Sequence, residues 1–265
     1  MIYLNNELIE VKKFPNGEAL INSESIKVID CVNQIKVKFE GDHDITHLIF
    51  LKGHLDELRL KCELIIPYMP YSRMDRTEGQ TVFTLKYLCK IINSLNFESV
   101  TVYEPHSDVS VALLDRVKTV NMSMALAKDI LKKMDSKNEE VYLVYPDAGA
   151  AKRYSKQIKY EKILTANKER DFKTGHIKKL EINGKIETKS FNAIIVDDLC
   201  SKGGTFELTA SKLKEIGAKE IYLVVTHCEN TVFEGNLLKS DLINGIYTTD
   251  SILSKDDKKI SIYKI

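Results

Sequence analysis

The stretch that most constrains this chain is Ala-Ile-Ile-Val-Asp-Asp-Leu-Cys-Ser-Lys-Gly-Gly-Thr, residues 193 to 205. Four apolar residues in a row, Ala193 to Val196, predict a strand buried on both faces, which calls for a parallel sheet covered by helices. Asp197 and Asp198 follow where the carboxyl end of that strand emerges, the edge at which α/β sheets bind ligands. Ser201, Lys202, Gly203, Gly204 and Thr205 form a short loop whose glycines let the backbone turn tightly, and Phe206 to Ile216 reads as the next helix. Free N–H groups in such a loop hold a phosphate at the helix N-terminus. Two carboxylates repel a phosphate and suit sugar hydroxyls or a bound cation. A phosphorylated sugar satisfies both halves of the string; an ordinary strand-turn-helix with a solvated acid pair is the plainer alternative.

A chain of 265 residues is long enough for one large domain or two ordinary ones, and two is the expectation. A polar break from Lys137 to Glu140 separates residues 1–136 from 137–265. Lysine and arginine total 39 against 38 acids, so no global field favours nucleic acid. No apolar run reaches the roughly 18 residues of a membrane span, and Met1 to Glu10 lacks a signal-peptide pattern, so a soluble cytoplasmic protein with no membrane partner is expected. The five cysteines are scattered and form no Cys-x-x-Cys pair, which fits reduced thiols. Cys200 has no base in the sequence to activate it and reads as a small packed side chain.

Along the chain, Phe14-Pro15-Asn16-Gly17-Glu18 is a turn signal between a short first strand and the apolar alternation of Ala19 to Ile21. Thr46 to Leu51 reads as a buried strand, His54 to Lys61 as a helix face and Cys62 to Pro67 as a second strand. The loop after it, Pro67 to Arg76, carries tyrosines and two guanidiniums flanking Asp75, a combination suited to a polyphosphate and a stacked base, or simply a surface loop with an internal ion pair. A helix from Phe83 to Leu95 and a strand from Ser99 to Tyr103 lead to Glu104-Pro105-His106-Ser107-Asp108, where a lone histidine and carboxylates are a weak metal signal. Met122 to Met134 gives a core-facing helix.

A second alternation begins at Val141 to Tyr145, followed by a loop from Pro146 to Arg153 that places Asp147 and small residues at a strand end. Thr165 to Thr174 is polar and charged, readable as a surface loop or as a lid that brings Lys168 and Arg170 onto a charged transition state. Ile177 to Glu187 reads as a hairpin turning at Asn183-Gly184. Ile221 to Val225 is the last buried strand, with short strands at Ile246 to Leu253 and Lys259 to Tyr263.

Taken together, these segments resemble the ribose-phosphate diphosphokinase family over the span from Phe14 to His227. Phe14 to Glu18 is similar to its Phe-Pro-Asp/Asn-Gly-Glu segment, Pro67 to Arg76 to its Pro-Tyr-x-x-Tyr-x-Arg-x-Asp-Arg loop, Glu104 to His106 to its metal-binding histidine segment, and Pro146 to Arg153 to its Pro-Asp-x-Gly loop. Lys168-Glu169-Arg170 resembles the catalytic Lys-x-Arg lid and Asp197 to Thr205 the ribose 5-phosphate loop. The resemblance implies an α/β protein of two similar type I phosphoribosyltransferase-like domains, each a mainly parallel sheet flanked by helices. It also implies diphosphoryl transfer from ATP to the C1 hydroxyl of ribose 5-phosphate, with Mg²⁺ and a homo-oligomer.

By the same resemblance, ATP is bound by Phe14, Asn16, Glu18, Arg73, Asp75, Arg76 and His106. Ribose 5-phosphate is bound by Asp197, Asp198, Ser201, Lys202, Gly203, Gly204 and Thr205, the metal by His106 and Asp147, and catalysis falls to Lys168 and Arg170. The sequence departs from the family at Met74, where glutamine is usual near the adenine. It departs again at Ser201-Lys202, which replace Asp-Thr, so that Lys202 either pairs with the 5-phosphate or fills its site. A nucleobase phosphoribosyltransferase shares the Asp197 to Thr205 loop but does not account for the first-half motifs. A catalytically silent regulatory homologue does not account for Lys168, Arg170 and His106.

Overall fold

The computed structural model describes residues 1–135, 140–170 and 177–265. It divides into two compact units, Met1–Val120 and Asn121–Ile265. The division therefore falls before the helix Met122–Asp135, not at the polar break after it. The reason is packing: Met124, Leu126, Ala127, Ile130 and Met134 of that helix are buried against Val141, Leu143 and Tyr145 of the second unit.

In the first unit, among the described residues, six strands are ordered β2-β1-β5-β6-β7-β8. They are β1 (Ile2–Leu4), β2 (Glu7–Leu8), β5 (Asn33–Val37), β6 (Cys62–Ile66), β7 (Val100–Tyr103) and β8 (Val117–Val120). From β5 to β8 the strands are parallel, with β1 added antiparallel to β5. A separate hairpin joins β3 (Val11–Lys13) to β4 (Ala19–Ile21) in the register Val11↔Ile21. Helices α1 (His43–Glu57), α2 (Thr84–Ser94) and the short α3 (Asp108–Leu113) connect the parallel strands.

Helix α1 corrects the sequence reading, which split this region into a strand at Thr46 to Leu51 and a helix from His54. Its buried positions are Asp44, His47, Leu48, Leu51, Lys52 and Leu55, spaced three and four apart. A short apolar run does not by itself separate strand from helix, and here the helical face wins because it packs on the sheet. Strand β5, whose Ile35 is fully buried, is not anticipated by the sequence reading, because lysine and glutamine alternate with its inward residues.

The second unit has the order β11-β10-β9-β12-β13-β14-β15 among the described residues. These are β9 (Val141–Tyr145), β10 (Ile163–Arg170), β11 (Ile177–Asn183), β12 (Phe191–Cys200), β13 (Ala218–Cys228), β14 (Gly245–Thr249) and β15 (Ile260–Tyr263). All neighbours are parallel except β10 and β11. The helix already noted, α4 (Met122–Asp135), packs on this sheet, joined by α5 (Ala148–Tyr154) and α6 (Gly204–Glu215).

Two expectations change here. The charged segment from Thr165 is strand as far as Arg170, pairing with β11 from Thr165↔Asn183 to Arg170↔Ile177. The hairpin thus runs from β10 to β11. Residues 171–176 fall outside the described residues, and Asn183-Gly184 ends a strand where a turn was expected. The residues after Asp147 are likewise helix α5, because Ala-Gly-Ala-Ala-Lys-Arg follows a capping aspartate.

Candidate active site

In the second unit, β12 outruns one of its neighbours. It pairs with β9 only through Ile195, yet continues beside β13 to Cys200. Asp197 and Asp198 therefore lie within the strand, on the length that β9 no longer covers. Asp198 is buried and Asp197 half-buried. The Asp198 N–H donates to Asp197 Oδ1 at 2.9 Å, and Ser123 Oγ donates to the Asp197 carbonyl oxygen at 2.8 Å. Burial, followed by the negative field of Asp198 and more weakly of Asp147, pushes the Asp197 carboxyl well above the usual range.

Asp147 caps helix α5, its Oδ1 accepting from the Ala150 N–H at 2.9 Å. At the far end of α5, Arg153 Nη1 lies 3.2 Å from Asp198 Oδ2. Burial works against the Arg153 charge, but Asp198 and Tyr154 together more than offset it and the guanidinium is held above its ordinary value. The sequence reading gave Arg153 no role; the only signal was a basic residue one helix length after an acid.

Beyond Cys200 the loop turns into α6 at Gly203, whose φ of 85° is left-handed. A glycine at this position offers no side chain to cap the helix, so the N–H groups of its first turn are open to an anion. The loop is wedged against the segment after β13: Gly235 approaches the Lys202 carbonyl so closely that a Cβ there would sit 2.0 Å from it. Ser201 Oγ is 3.1 Å from Thr231 Oγ1, and Lys202 Nζ pairs with Glu234 Oε2 at 3.0 Å on the surface. Cys200 is buried, and a hydrogen bond with Cys228, together with burial, pushes its thiol up. That is the state of a packed thiol, not an activated nucleophile.

In the first unit, Asp75 is buried and gathers the loop that follows β6. Arg76 donates to it through Nε (2.7 Å to Oδ1) and Nη2 (3.2 Å to Oδ2). That fork, with Ser107 and His106 nearby, holds the Asp75 carboxyl below its usual range despite burial. Asp75, Arg76 and His106 are thus brought together. Tyr71, with φ 58°, donates its hydroxyl to Asp42, a bond that with burial pushes the phenol up to about 12. Glu104, with φ 38°, is buried at the end of β7.

Arg73 is exposed in the same loop. The Phe14–Glu18 turn closes the β3-β4 hairpin, with the Phe14 N–H donating to the Glu18 carbonyl at 2.9 Å and the Glu18 N–H to Asn16 Oδ1 at 3.2 Å. Phe14 and Glu18 line a cavity of about 500 Å³ together with His43, His47 and Phe50 of α1. His47 and Phe50 were missed from the sequence because Thr46 to Leu51 was read as strand. Lys168 and Arg170 occupy the last positions of β10, paired in register with Leu180 and Ile177.

The two α/β units, each with a charged loop at the carboxyl edge of a parallel sheet, define a tandem phosphoribosyltransferase-like protein. The chain is similar along almost its whole length to ribose-phosphate pyrophosphokinases. The protein of that name from Sulfurisphaera tokodaii is 28% identical, over 97% of this chain and 88% of its own. The one from Bacillus subtilis is also 28% identical, over 96% and 80%. The one from Pyrococcus abyssi is 27% identical, over 96% and 87%. The crystal structure of phosphoribosylpyrophosphate synthetase from Mycobacterium smegmatis superimposes with a TM-score of 0.77 at 18% identity, covering 97% of this chain and 86% of that one, and so shares its fold. No family model matches the sequence. Among the described residues, no helix is long and apolar enough to cross a membrane.

Proposed function

We propose that this protein transfers the diphosphoryl group of ATP to the C1 hydroxyl of ribose 5-phosphate, giving 5-phosphoribosyl 1-diphosphate and AMP. The observation that carries the reading is that each sheet delivers its own anion-binding loop: a guanidinium-rich one after β6 and a glycine-capped one before α6. The relatives, which match both units, bear the activity in their names.

The 5-phosphate sits on the open N–H groups of Gly204 and Thr205, whose helix dipole favours an anion. Asp197 and Asp198 accept hydrogen bonds from the ribose hydroxyls. Arg73 and Arg76 hold ATP, with Asp75 fixing the orientation of Arg76 and His106 near Asp75, and Phe14, Asn16 and Glu18 contribute from the β3-β4 turn. The ribose O1 attacks the β-phosphorus as the bond to the α-phosphate oxygen breaks, and AMP leaves with that oxygen. Lys168 and Arg170 stabilise charge that appears only in the transition state. Lys202, paired with Glu234 on the surface, adds a cation beside that loop.

Mg²⁺ fits the donor chemistry of the second unit. Among the described residues no three His, Cys, Asp or Glu side chains form a ready metal cage. Mg²⁺ needs only one or two carboxylates when phosphates and water complete its shell. Asp147, whose field reaches Asp197, supplies an oxygen there; in the first unit His106 is the candidate ligand. Bound there, the ion would neutralise phosphate charge. Self-association belongs to the same reading, and Phe14, Leu20 and Phe50 are large apolar side chains left exposed.

The test is incubation with ribose 5-phosphate, ATP and Mg²⁺, following AMP and phosphoribosyl diphosphate, beside a Lys168→Ala/Arg170→Ala variant. Equal amounts of both products are expected, with turnover in the variant lower by roughly 10²-fold or more and ATP binding retained. If neither product forms with any nucleoside triphosphate, the reading fails, and a nucleobase acceptor or a partner subunit becomes the object of search.

A further inference from the structure

Among the described ion pairs of the second unit, Arg153–Asp198 is the one with both side chains largely sequestered, at 30% and 7% exposure. The others that include Lys202, Lys162 or Lys212 lie in solvent. Surface pairs of that kind contribute little. A buried pair costs desolvation, so it requires a reason beyond stability. The guanidinium is held on two further sides. Its carbon lies 5.9 Å from the centre of the Tyr154 ring. The helix that carries it is anchored at its start by the Asp147 cap. The partner it selects is one of two adjacent acids, while Asp197 Oδ1 accepts from the Asp198 N–H.

We infer that Arg153 is a positioning residue for sugar recognition: it fixes the Asp198 carboxylate on one oxygen so that the acid accepts hydrogen bonds from the ribose hydroxyls in a single orientation. The inference rests on the assignment of Asp197 and Asp198 to those hydroxyls. The physical need is clear from the neighbourhood. Two carboxylates on consecutive residues repel, and without a counter-charge one of them rotates away or takes up a proton. An arginine fork supplies the charge and the direction together, and a lysine supplies only the charge. Discrimination by a hydrogen-bonding site depends on the acceptor being in place before the ligand arrives.

The test compares the dissociation constants of ribose 5-phosphate and 2-deoxyribose 5-phosphate by calorimetry, for the intact chain and for Arg153→Gln, Arg153→Lys, Asp198→Asn and the Arg153→Gln/Asp198→Asn double variant. The intact chain is expected to prefer the ribose form by about 10²-fold or more, as a site built around a hydroxyl does. Arg153→Gln should lose most of that preference while its affinity for the deoxy sugar and for ATP holds. Arg153→Lys should fall between, and the double variant should match Asp198→Asn.

Equal loss for both sugars in Arg153→Gln makes the residue a strut and overturns the inference, as does multiplication of the two single effects in the double variant. If Asp198→Asn lowers the preference and Arg153→Gln keeps it, the hydroxyl assignment stands and only the role of Arg153 is wrong. If neither the intact chain nor Asp198→Asn distinguishes the sugars, the hydroxyl assignment itself has failed. Thermal melting checks each variant. Should Arg153→Gln not fold, a folded Arg153→Lys with full preference overturns the inference, and one with reduced preference upholds it.

Discussion

The loops after β6 and β7 in the first unit and the β12-α6 loop in the second meet the same demand, charge held at a sheet edge, by opposite means. In the first unit the charges are satisfied and the backbone is strained. Asp75 is forked by Arg76 and Tyr71 is bonded to Asp42, while two bulky residues, Tyr71 and Glu104, sit at φ 58° and 38°. In the second, the left-handed position of the loop is a glycine, Gly203, and the cost lies in two adjacent acids, one buried and one half-buried, with the Arg153 guanidinium beside the buried one. Stored strain and stored charge both mark sites held ready for a ligand. The difference is that a bent loop can relax when the ligand is absent, whereas the two acids stay adjacent in the strand, and their repulsion is eased by Arg153, by a proton on Asp197 or by a bound cation.

If that contrast is right, the largest effect comes from unseating the second loop. Gly235→Ala forces its Cβ against the Lys202 carbonyl, a backbone atom with no flexible way out, and should cost above about 3 kcal/mol in urea unfolding together with most ribose 5-phosphate affinity. Unchanged unfolding and binding would show the loop to be free to move, and the contrast with the first unit would disappear. Next is Asp197→Asn. Its amide Oδ1 still accepts from the Asp198 N–H, so the fold is kept. The raised native carboxyl means that the folded chain binds more protons than the unfolded one above about pH 4, so ionisation of Asp197 removes stability as pH rises. The variant should therefore be more stable at neutral pH by of order 1 kcal/mol, yet turn over roughly 10²-fold slower. A variant less stable than the parent would mean that Asp197 is not carrying unfavourable charge.

The sheet-forming second unit was readable from its residues, because Ala193 to Val196 and Val141 to Tyr145 are short, largely β-branched or aromatic apolar runs, each followed by an acid-bearing loop, which suits a strand buried on both faces. The order of loops around it followed. What the residues concealed was where β12 stops, since its length depends on β13 running beside it to Cys228 and no local signal marks a neighbour. The β10-β11 pairing was hidden for a related reason: Asn167, Lys168, Glu169 and Arg170 carry a loop's composition on a strand's backbone. Arg153 had to be seen in three dimensions, because it lies on helix α5 and its partner on strand β12, well away in sequence. In the first unit, α1 was misread where apolar residues crowd together, although its inward positions, once the helix is known, keep regular spacing.

Asp75→Asn tests the other side of the contrast. Loss of the carboxylate releases Arg76, and a roughly tenfold rise in the KM for ATP is expected from the loss of one positioned charge-assisted pair. Because the native Asp75 carboxyl is depressed, its contribution is present above about pH 4, the unfolded value, and fades as pH falls through the lower native one. Stability profiles between pH 2 and 6 should accordingly be flatter in acid for the variant. Parallel profiles would mean that the fork exists without mattering.

The smallest effect belongs to Tyr71→Phe, which removes one hydroxyl and leaves the ring against Phe39, 5.9 Å away. The phenol is pushed up to about 12 by its bond to Asp42, so its contribution is complete below the unfolded value near 10 and is lost as pH climbs from there toward 12. The pair is partly open to solvent, which limits the loss at neutral pH to a few tenths of a kcal/mol. Phenolate absorbance of parent and variant, subtracted across the alkaline range, should isolate one tyrosine ionising near 12. The φ of Tyr71 adds a sharper point. If the hydroxyl bond is what holds that residue at 58°, the phenylalanine variant lets the loop revert to an ordinary conformation, and the KM for ATP rises although no ATP ligand has been touched. If the KM holds, packing against Phe39 alone sustains the bend, and the strain in this loop is fixed by the fold in the way that the buried charge of the second unit is.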